Sequence, residues 1–407
     1  MSNPENFFSS VFPKAHLLVK ESPLKIPSGS RKLVIGIPKE TLFQENRVLL
    51  VPSSVHNLTL HGHKVILESG AGEKSFYSDN EYSEAGAEIT ESKKRVFECD
   101  IVLKVVPPTL DELDFFHSGQ VLVSPLQFPV TTKEYLQKLV DKRIIAVAME
   151  YMQAEDKSFP VVKIMSEITG TVAVLTAAEY LSDPKLGKRV LLGSISGVPP
   201  VKVVILGAGM VGEHAVKTAL SLGASVRVFD DDIYKIMQLK SRIGRHLHTS
   251  VMDPVYLQYQ LLSADVVITA IHSDIGRVPM VITEDMVMKM KKGAVIIDVS
   301  IDQGGCVETS KVTTHDDPIF VKHGVIHYCV PNIPSKVSRT ASIAFSNILT
   351  PLILKSGLMN SFESLLYNNP GLLNGVYTYK GNVTNEFLAK YFDMKYTSLD
   401  LLLSAGL

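Results

Sequence analysis

"VKVVILGAGMVGEHAVKTALSLGASVRVFDDD", residues 201–232, decides the fold. An apolar, β-branched run leads into Gly207-Ala208-Gly209-Met210-Val211-Gly212, a helical stretch follows, and a second apolar run closes on Asp230. Strand, glycine turn, helix, strand and acid stand in the order of a dinucleotide-binding βαβ unit. The first glycine permits the tight turn, the second lets main chain approach a pyrophosphate, and the third lets helix and strand pack closely. The helix N-terminus then faces the phosphates. Asp230 lies 23 residues beyond Gly207, near the spacing of roughly 20 at which an acid accepts the ribose hydroxyls. Its charge would repel a 2′-phosphate, which points to NAD rather than NADP. Two other readings of this stretch stay open: an S-adenosylmethionine site, and a turn that binds nothing, with Asp230, Asp231 and Asp232 as a solvated acidic corner.

Working outward, the same rhythm recurs. An apolar run at 225–231 closes the quoted stretch, runs at 264–271, 293–300 and 324–330 follow it, and an earlier set stands at 32–37, 63–69, 100–105, 120–126 and 143–149. None alternates strictly with polar residues, as expected of parallel strands covered on both faces. The fold class is therefore α/β: two Rossmann-like doubly wound domains with an interdomain active-site cleft. Helical stretches at 166–182 and 340–357 connect the two sheets. The tail at 362–392 is expected to form helical hairpins on the first domain. Residues 1–31, ending in a Pro/Gly/Ser cluster, are read as an appended N-terminal arm. The expected division is 32–160 with 340–407 as the substrate domain, and 161–339 as the NAD-binding domain.

The bulk properties fit. The chain has 407 residues, 45% hydrophobic and 20% charged, enough apolar surface for two cores. Its formal net charge of -1 leaves no electrostatic footprint for nucleic acid or an anionic membrane. Cys99, Cys306 and Cys329 are odd in number and widely spaced, which suits reduced thiols in the cytoplasm. The start of the chain lacks the layout of a secretory signal, and no membrane-crossing segment is expected. No metal-ligand spacing is present.

With these residues in view, the chain resembles the alanine dehydrogenase and transhydrogenase α-subunit family over residues 32–395. "IGIPKETLFQENRVLLVP", "DIVLKV", "MSEITG", "IIDVSIDQGGC", "TTHDDP" and "GVIHYCVPNIP" occur in the family's order. "DQGGC", "HYCVPN" and the long tail are similar to the soluble alanine dehydrogenases. The resemblance implies NAD-dependent interconversion of L-alanine with pyruvate and ammonia, and a homo-oligomer, by resemblance a hexamer. Two other functions are weighed: a soluble NAD(H)-handling subunit like the transhydrogenase α chain, and an impaired NAD-binding or sensing homologue.

The same resemblance distributes roles. Arg47 matches the arginine that clamps the substrate carboxylate, for which a guanidinium fork is suited. Lys104, ending a strand of the first sheet, matches the lysine that holds the ketone oxygen. Asp302 and Asn332 follow strands of the second sheet and match the catalytic aspartate and a residue near substrate and nicotinamide. Ser166, Ile271 and Val299 join Gly207, Gly209, Gly212 and Asp230 as cofactor contacts. Glu150 falls near the site. The informative departure is Gln127, in "SPLQFP", where the family carries a histidine. Glutamine hydrogen-bonds a carbonyl but does not titrate near neutral pH, so the proton work is expected to fall to Asp302 or an ordered water. Met252 and His272 also depart from the family pattern near the cofactor. His315 and His327 are read as structural hydrogen-bonders.

Overall fold

The computed structural model describes residues 31–404 apart from 43, 129–130, 274–275 and 360–361. The expected N-terminal arm lies outside the described residues except for Arg31.

Two sheets form. The first holds β1 (Val34–Ile37), β2 (Lys64–Glu68), β3 (Glu88–Thr90), β4 (Ile101–Leu103), β5 (Val121–Ser124) and β6 (Ile145–Ala148). The second holds β7 (Lys202–Leu206), β8 (Ser225–Phe229), β9 (His248–Ser250), β10 (Val266–Thr269), β11 (Val295–Asp298), β12 (Ile319–Lys322) and β13 (Val325–Tyr328). β14 (Val376–Tyr379) and β15 (Asn382–Val383) return to the first sheet. The strand orders are β15-β14-β6-β5-β4-β1-β2-β3 and β12-β13-β11-β10-β7-β8-β9. Counting parallel strands alone, each contains the doubly wound order 3-2-1-4-5-6, extended at one edge by β14 and β15 in the first sheet and by the antiparallel β12 in the second. In such sheets the chain leaves in opposite directions on either side of the first strand, opening a crevice at the strands' carboxyl ends. Those crevices fall between β1 and β4 and between β7 and β10. Every residue of β4, β5, β6, β10 and β11 is buried, which accounts for their unbroken apolar character.

The tail corrects the expected helical hairpins. It does form short helices, at Phe362–Asn368 and Pro370–Leu373. The run "VYTY" then pairs antiparallel to β6, because its aromatic and β-branched side chains fill the open edge of an apolar sheet.

Two long helices join the sheets. The first, Pro160–Ser182, starts with proline in its first turn and packs on the helix Met210–Ser221. Gly170 permits that approach, since a Cβ there would stand 2.4 Å from the Val211 carbonyl oxygen. The second is Ser338–Leu358. It anchors the segment after Arg47: Ser342 Oγ accepts from the Val48 amide and Ser346 Oγ from the Val51 amide, both at 2.9 Å. The expectation of no membrane-crossing segment needs correcting on length and composition. The stretches Pro160–Ser182 and Ile333–Leu358 pass that test, with mean hydropathies of 1.5 and 1.3. Their apolar windows are half buried inside the protein, so core packing accounts for their composition.

Candidate active site

The carboxyl ends of the two sheets face a cavity of about 370 Å³. From the first sheet come Arg47 after β1, Gln127 after β5 and Glu150 after β6. From the second come Ile271 after β10, Val299 and Asp302 after β11, and Asn332 after β13. Ser166, on the first linking helix, closes one side. The cavity thus gathers four of the five residues expected at the substrate and three of those expected at the cofactor.

Arg47 is held rigidly. Glu45 accepts from its Nε at 2.7 Å and from its Nη2 at 2.6 Å, and the Arg47 ring-like plane lies against Phe345. Both residues are nearly excluded from solvent, at 12% and 2% side-chain exposure. Burial raises the Glu45 pKa, but the Arg47 charge and its hydrogen bonds outweigh this and hold it below the ordinary value. The edge of the guanidinium carrying Nη1 has Met165 Sδ at 3.5 Å as its neighbour. That edge suits a small carboxylate.

Lys104 is different. The sequence reading turns it into the crevice, whereas the structure buries its ammonium behind the cavity wall, with Val105 taking the lining position. Lys104 Nζ stands 3.0 Å from Glu40 Oε2 and 3.4 Å from Glu112 Oε2. Burial is strong enough to raise the Glu40 pKa despite the lysine. Glu112 goes the other way: burial is opposed by Lys104, Lys93 and the Thr109 amide, and its pKa falls. Glu40 Oε1 also accepts from the Val105 amide at 2.6 Å, so the cluster fixes the loop after β4.

Asp302 is open to the cleft solvent but crowded by protein on its other sides. Crowding raises its pKa to about 6, against the pull of the Gln303 amide and the nearby His272. Asn332 is oriented by His315, whose Nε2 meets Asn332 Oδ1 at 2.9 Å. Gln44 reaches across from the first sheet, its Oε1 accepting from the His315 amide at 2.6 Å and its side-chain amide donating to Asp316. Beside it, the Asn46 amide donates to Ser335 Oγ at 2.9 Å. Sequence reading missed Glu45 and Gln44, whose partners lie 2 and 271 residues away. Only the short Glu-x-Arg spacing carried a signal. Gln127 adopts a left-handed backbone, φ 48. His327 bonds Thr309 Oγ1 at 2.7 Å and the Val325 carbonyl at 3.0 Å, and burial lowers its pKa to about 4. Among the described residues no cluster of three metal-ligating side chains occurs.

The glycine turn fits a dinucleotide. A Cβ at Gly207 would stand 2.4 Å from the Ala270 carbonyl oxygen, and one at Gly212 would stand 1.9 Å from that of Gly207. At Gly209 a Cβ would meet nothing within 4 Å. Two glycines are therefore demanded by the protein's own packing. The middle one faces open space at the N-cap of the helix Met210–Ser221, where a phosphate would rest. Asp230 Oδ2 accepts from the Ala208 amide at 2.6 Å and Oδ1 from the Asp232 amide at 2.8 Å, so the acid also fixes the turn.

Two doubly wound sheets, one bearing a dinucleotide cradle and the other a largely enclosed arginine across a shared cavity, define a nicotinamide-dinucleotide-dependent dehydrogenase. The chain belongs to the alanine dehydrogenase/PNT family: its N-terminal domain model matches residues 36–169 and its C-terminal domain model residues 173–386. The chain is 41% identical over 367 residues to alanine dehydrogenase 2 of Staphylococcus aureus (strain USA300), covering 90% of this chain and 98% of that protein. A solved L-alanine dehydrogenase superposes with a TM-score of 0.80 at 34% identity, covering 89% of this chain and 99% of the other. A transhydrogenase from Sinorhizobium meliloti superposes with a TM-score of 0.73 at 24% identity, covering 87% and 99%, a likeness of fold.

Proposed function

We infer that this chain catalyses the NAD-dependent oxidative deamination of L-alanine to pyruvate and ammonia, and the reverse reductive amination. One observation carries the reading: Arg47, Gln127, Asp302 and Asn332 line the same cavity as Ser166, Ile271 and Val299. Arg47 binds the substrate carboxylate. Asp302, as carboxylate, takes a proton from the substrate ammonium, leaving the amine lone pair free. NAD held there would supply the acceptor for the hydride leaving Cα. Gln127 donates a hydrogen bond to the oxygen that becomes the ketone, and Asn332, held by His315, sits on the cofactor side. Ser166, Gly207, Gly209, Gly212 and Asp230 serve the cofactor.

The domain division is proposed as 32–160 with 340–407 for the substrate and 161–339 for NAD. We also propose a cytoplasmic homo-oligomer, by family a hexamer. Lys104 belongs, on its surroundings, to the support of the β4 loop rather than to substrate contact. The test is NADH formation by the purified protein with L-alanine, glycine, L-serine and other amino acids. Turnover with alanine above the rest is expected, and turnover with none overturns the reading.

A further inference from the structure

The wall that carries Gln127 also holds a carboxyl that the scheme above leaves idle. Glu150 leaves β6 in the short turn Met149–Tyr151 and lines the cavity. Its Oε1 accepts from the Leu126 amide at 2.8 Å, one residue from Gln127. Its Oε2 is shielded from solvent and has no hydrogen-bond partner among the described residues. An unsatisfied buried acceptor costs about 1–3 kcal/mol, and one on the wall of a cavity calls for an explanation, a catalytic role among them.

Among the described residues no cation pairs with this carboxylate. Burial raises the Glu150 pKa, with the main-chain amides of Glu150, Leu126 and Gln127 pulling the other way. The titratable groups around it are the phenols Tyr135, Tyr151 and Tyr377, each pushed above the ordinary tyrosine value by burial. Arg47, Asp302 and His272 are the ionisable groups it shares the cavity with, and Arg47 is paired with Glu45. One oxygen is tied to the loop that presents Gln127, and the other is left without a partner.

We propose that Glu150 is a catalytic residue, taking the proton of the water that attacks the imine carbon and returning it in the reverse direction, a duty Gln127 beside it is unable to perform. The proposal rests on the alanine-to-pyruvate reading. The water oxygen bonds to the imine carbon, the C=N electron pair moves onto nitrogen, and the water O–H breaks as an O–H forms on Glu150. The carbinolamine nitrogen then takes that proton. As C–N breaks, its electron pair leaves with ammonia, the hydroxyl oxygen forms the ketone C=O, and the hydroxyl proton passes to Glu150 and on to solvent. Atoms and charge balance with no further reactant. Asp302 and Glu150 thus serve the amine and the oxygen from opposite walls.

The experiment compares the parent with Glu150→Gln, Glu150→Asp and the double variant Glu150→Gln/Gln127→His, measuring kcat and KM for alanine against pH and NADH affinity by fluorescence. Glu150→Gln is expected to lower kcat about 100-fold or more, remove one acid limb of the pH profile, and leave NADH affinity and KM within about threefold. The double variant regains about tenfold or more, with a new inflection near the unperturbed histidine pKa of about 6.5. Parental kcat and profile in Glu150→Gln overturns the proposal. If that variant fails to fold, Glu150→Asp decides: a displaced acid limb supports the role, and an unmoved limb overturns it. A parent that forms no NADH from alanine removes the functional reading and this proposal with it, an outcome distinct from an active parent whose Glu150→Gln variant is equally fast.

Discussion

Glu45 grips Arg47 by two adjacent nitrogens, at 2.7 and 2.6 Å, from a position two residues earlier in the chain. The pair makes the clamp a rigid fork rather than a mobile surface side chain. Glu45→Gln should therefore raise KM for alanine and pyruvate about tenfold or more, the scale of one lost charge-assisted hydrogen bond. Arg47→Ala should abolish turnover. In both variants NADH binding, followed by fluorescence, should stay near the parental value; its loss would assign Arg47 to the fold or cofactor.

The glycines of the turn should separate. Gly209→Ala adds a methyl into open space at a φ of -72, so it should keep the parental Tm while weakening NADH binding at least tenfold. Gly212→Ala forces a Cβ against the Gly207 carbonyl and should lose about 1–3 kcal/mol of stability or more. Thermal melts and NADH titration of the two proteins check the split. Equal melts would refute it.

Asp302 sets an acid limit. Its pKa of about 6 lies above the ordinary 3.8, so the base form needed for alanine oxidation is lost as pH falls through about 6, roughly tenfold per unit below it. Asp302→Asn should cut kcat about 10²–10⁴-fold and remove that limb. The sign for stability follows from the same shift: the protonated form favours the fold, a contribution present below about 4 and lost as pH rises through about 6. Asp302→Asn should therefore be at least as stable as the parent at pH 8. Melting curves and pH–rate profiles of both proteins test this, and a normal rate in the variant would dismiss Asp302 as the base.

Lys104→Met would leave Glu40 and Glu112 buried without their shared cation. Breaking a buried pair this way costs about 3–5 kcal/mol. Without the lysine both acids titrate higher, so the deficit should be largest at pH 8 and shrink as they take protons toward pH 5. Tm at the two pH values measures it. A stable variant with a greatly raised KM for pyruvate would instead make Lys104 a substrate contact.

Asp230, proposed to meet the ribose, also accepts from the Ala208 amide. Asp230→Ser should relax the preference for NAD over NADP and weaken both about tenfold, because the turn loses a charged acceptor. Steady-state kinetics with each nucleotide decides. Better turnover of the parent with NADP would sink the assignment.

Much of this was legible in the chain. The strands flanking each crevice are buried on both faces, so burial wrote them as apolar runs, and the glycine roles follow from steric rules that need no partner. β3, β9 and β12 were not read: each has three or four residues at or near a sheet edge, half exposed and therefore of mixed composition. β14 was mistaken because only the edge of β6, more than 220 residues earlier in the sequence, makes it a strand. The acidic partners of Lys104 are hidden from the sequence for a related reason. A lysine at a strand end turns toward water by default, and only the folded chain brings Glu40 and Glu112 behind it. The unpartnered Glu150 oxygen is visible only in three dimensions, since absence of a neighbour leaves no trace in sequence.

The segment Gln44–Arg47 carries both the carboxylate fork and the bonds to His315, Asp316 and Ser335 on the far side of the cavity. Any widening of the cavity at this segment would have to break those bonds and would carry the fork with it. The residue that would hold the substrate and the bonds that tie the two walls together are thus set on the same four residues of chain.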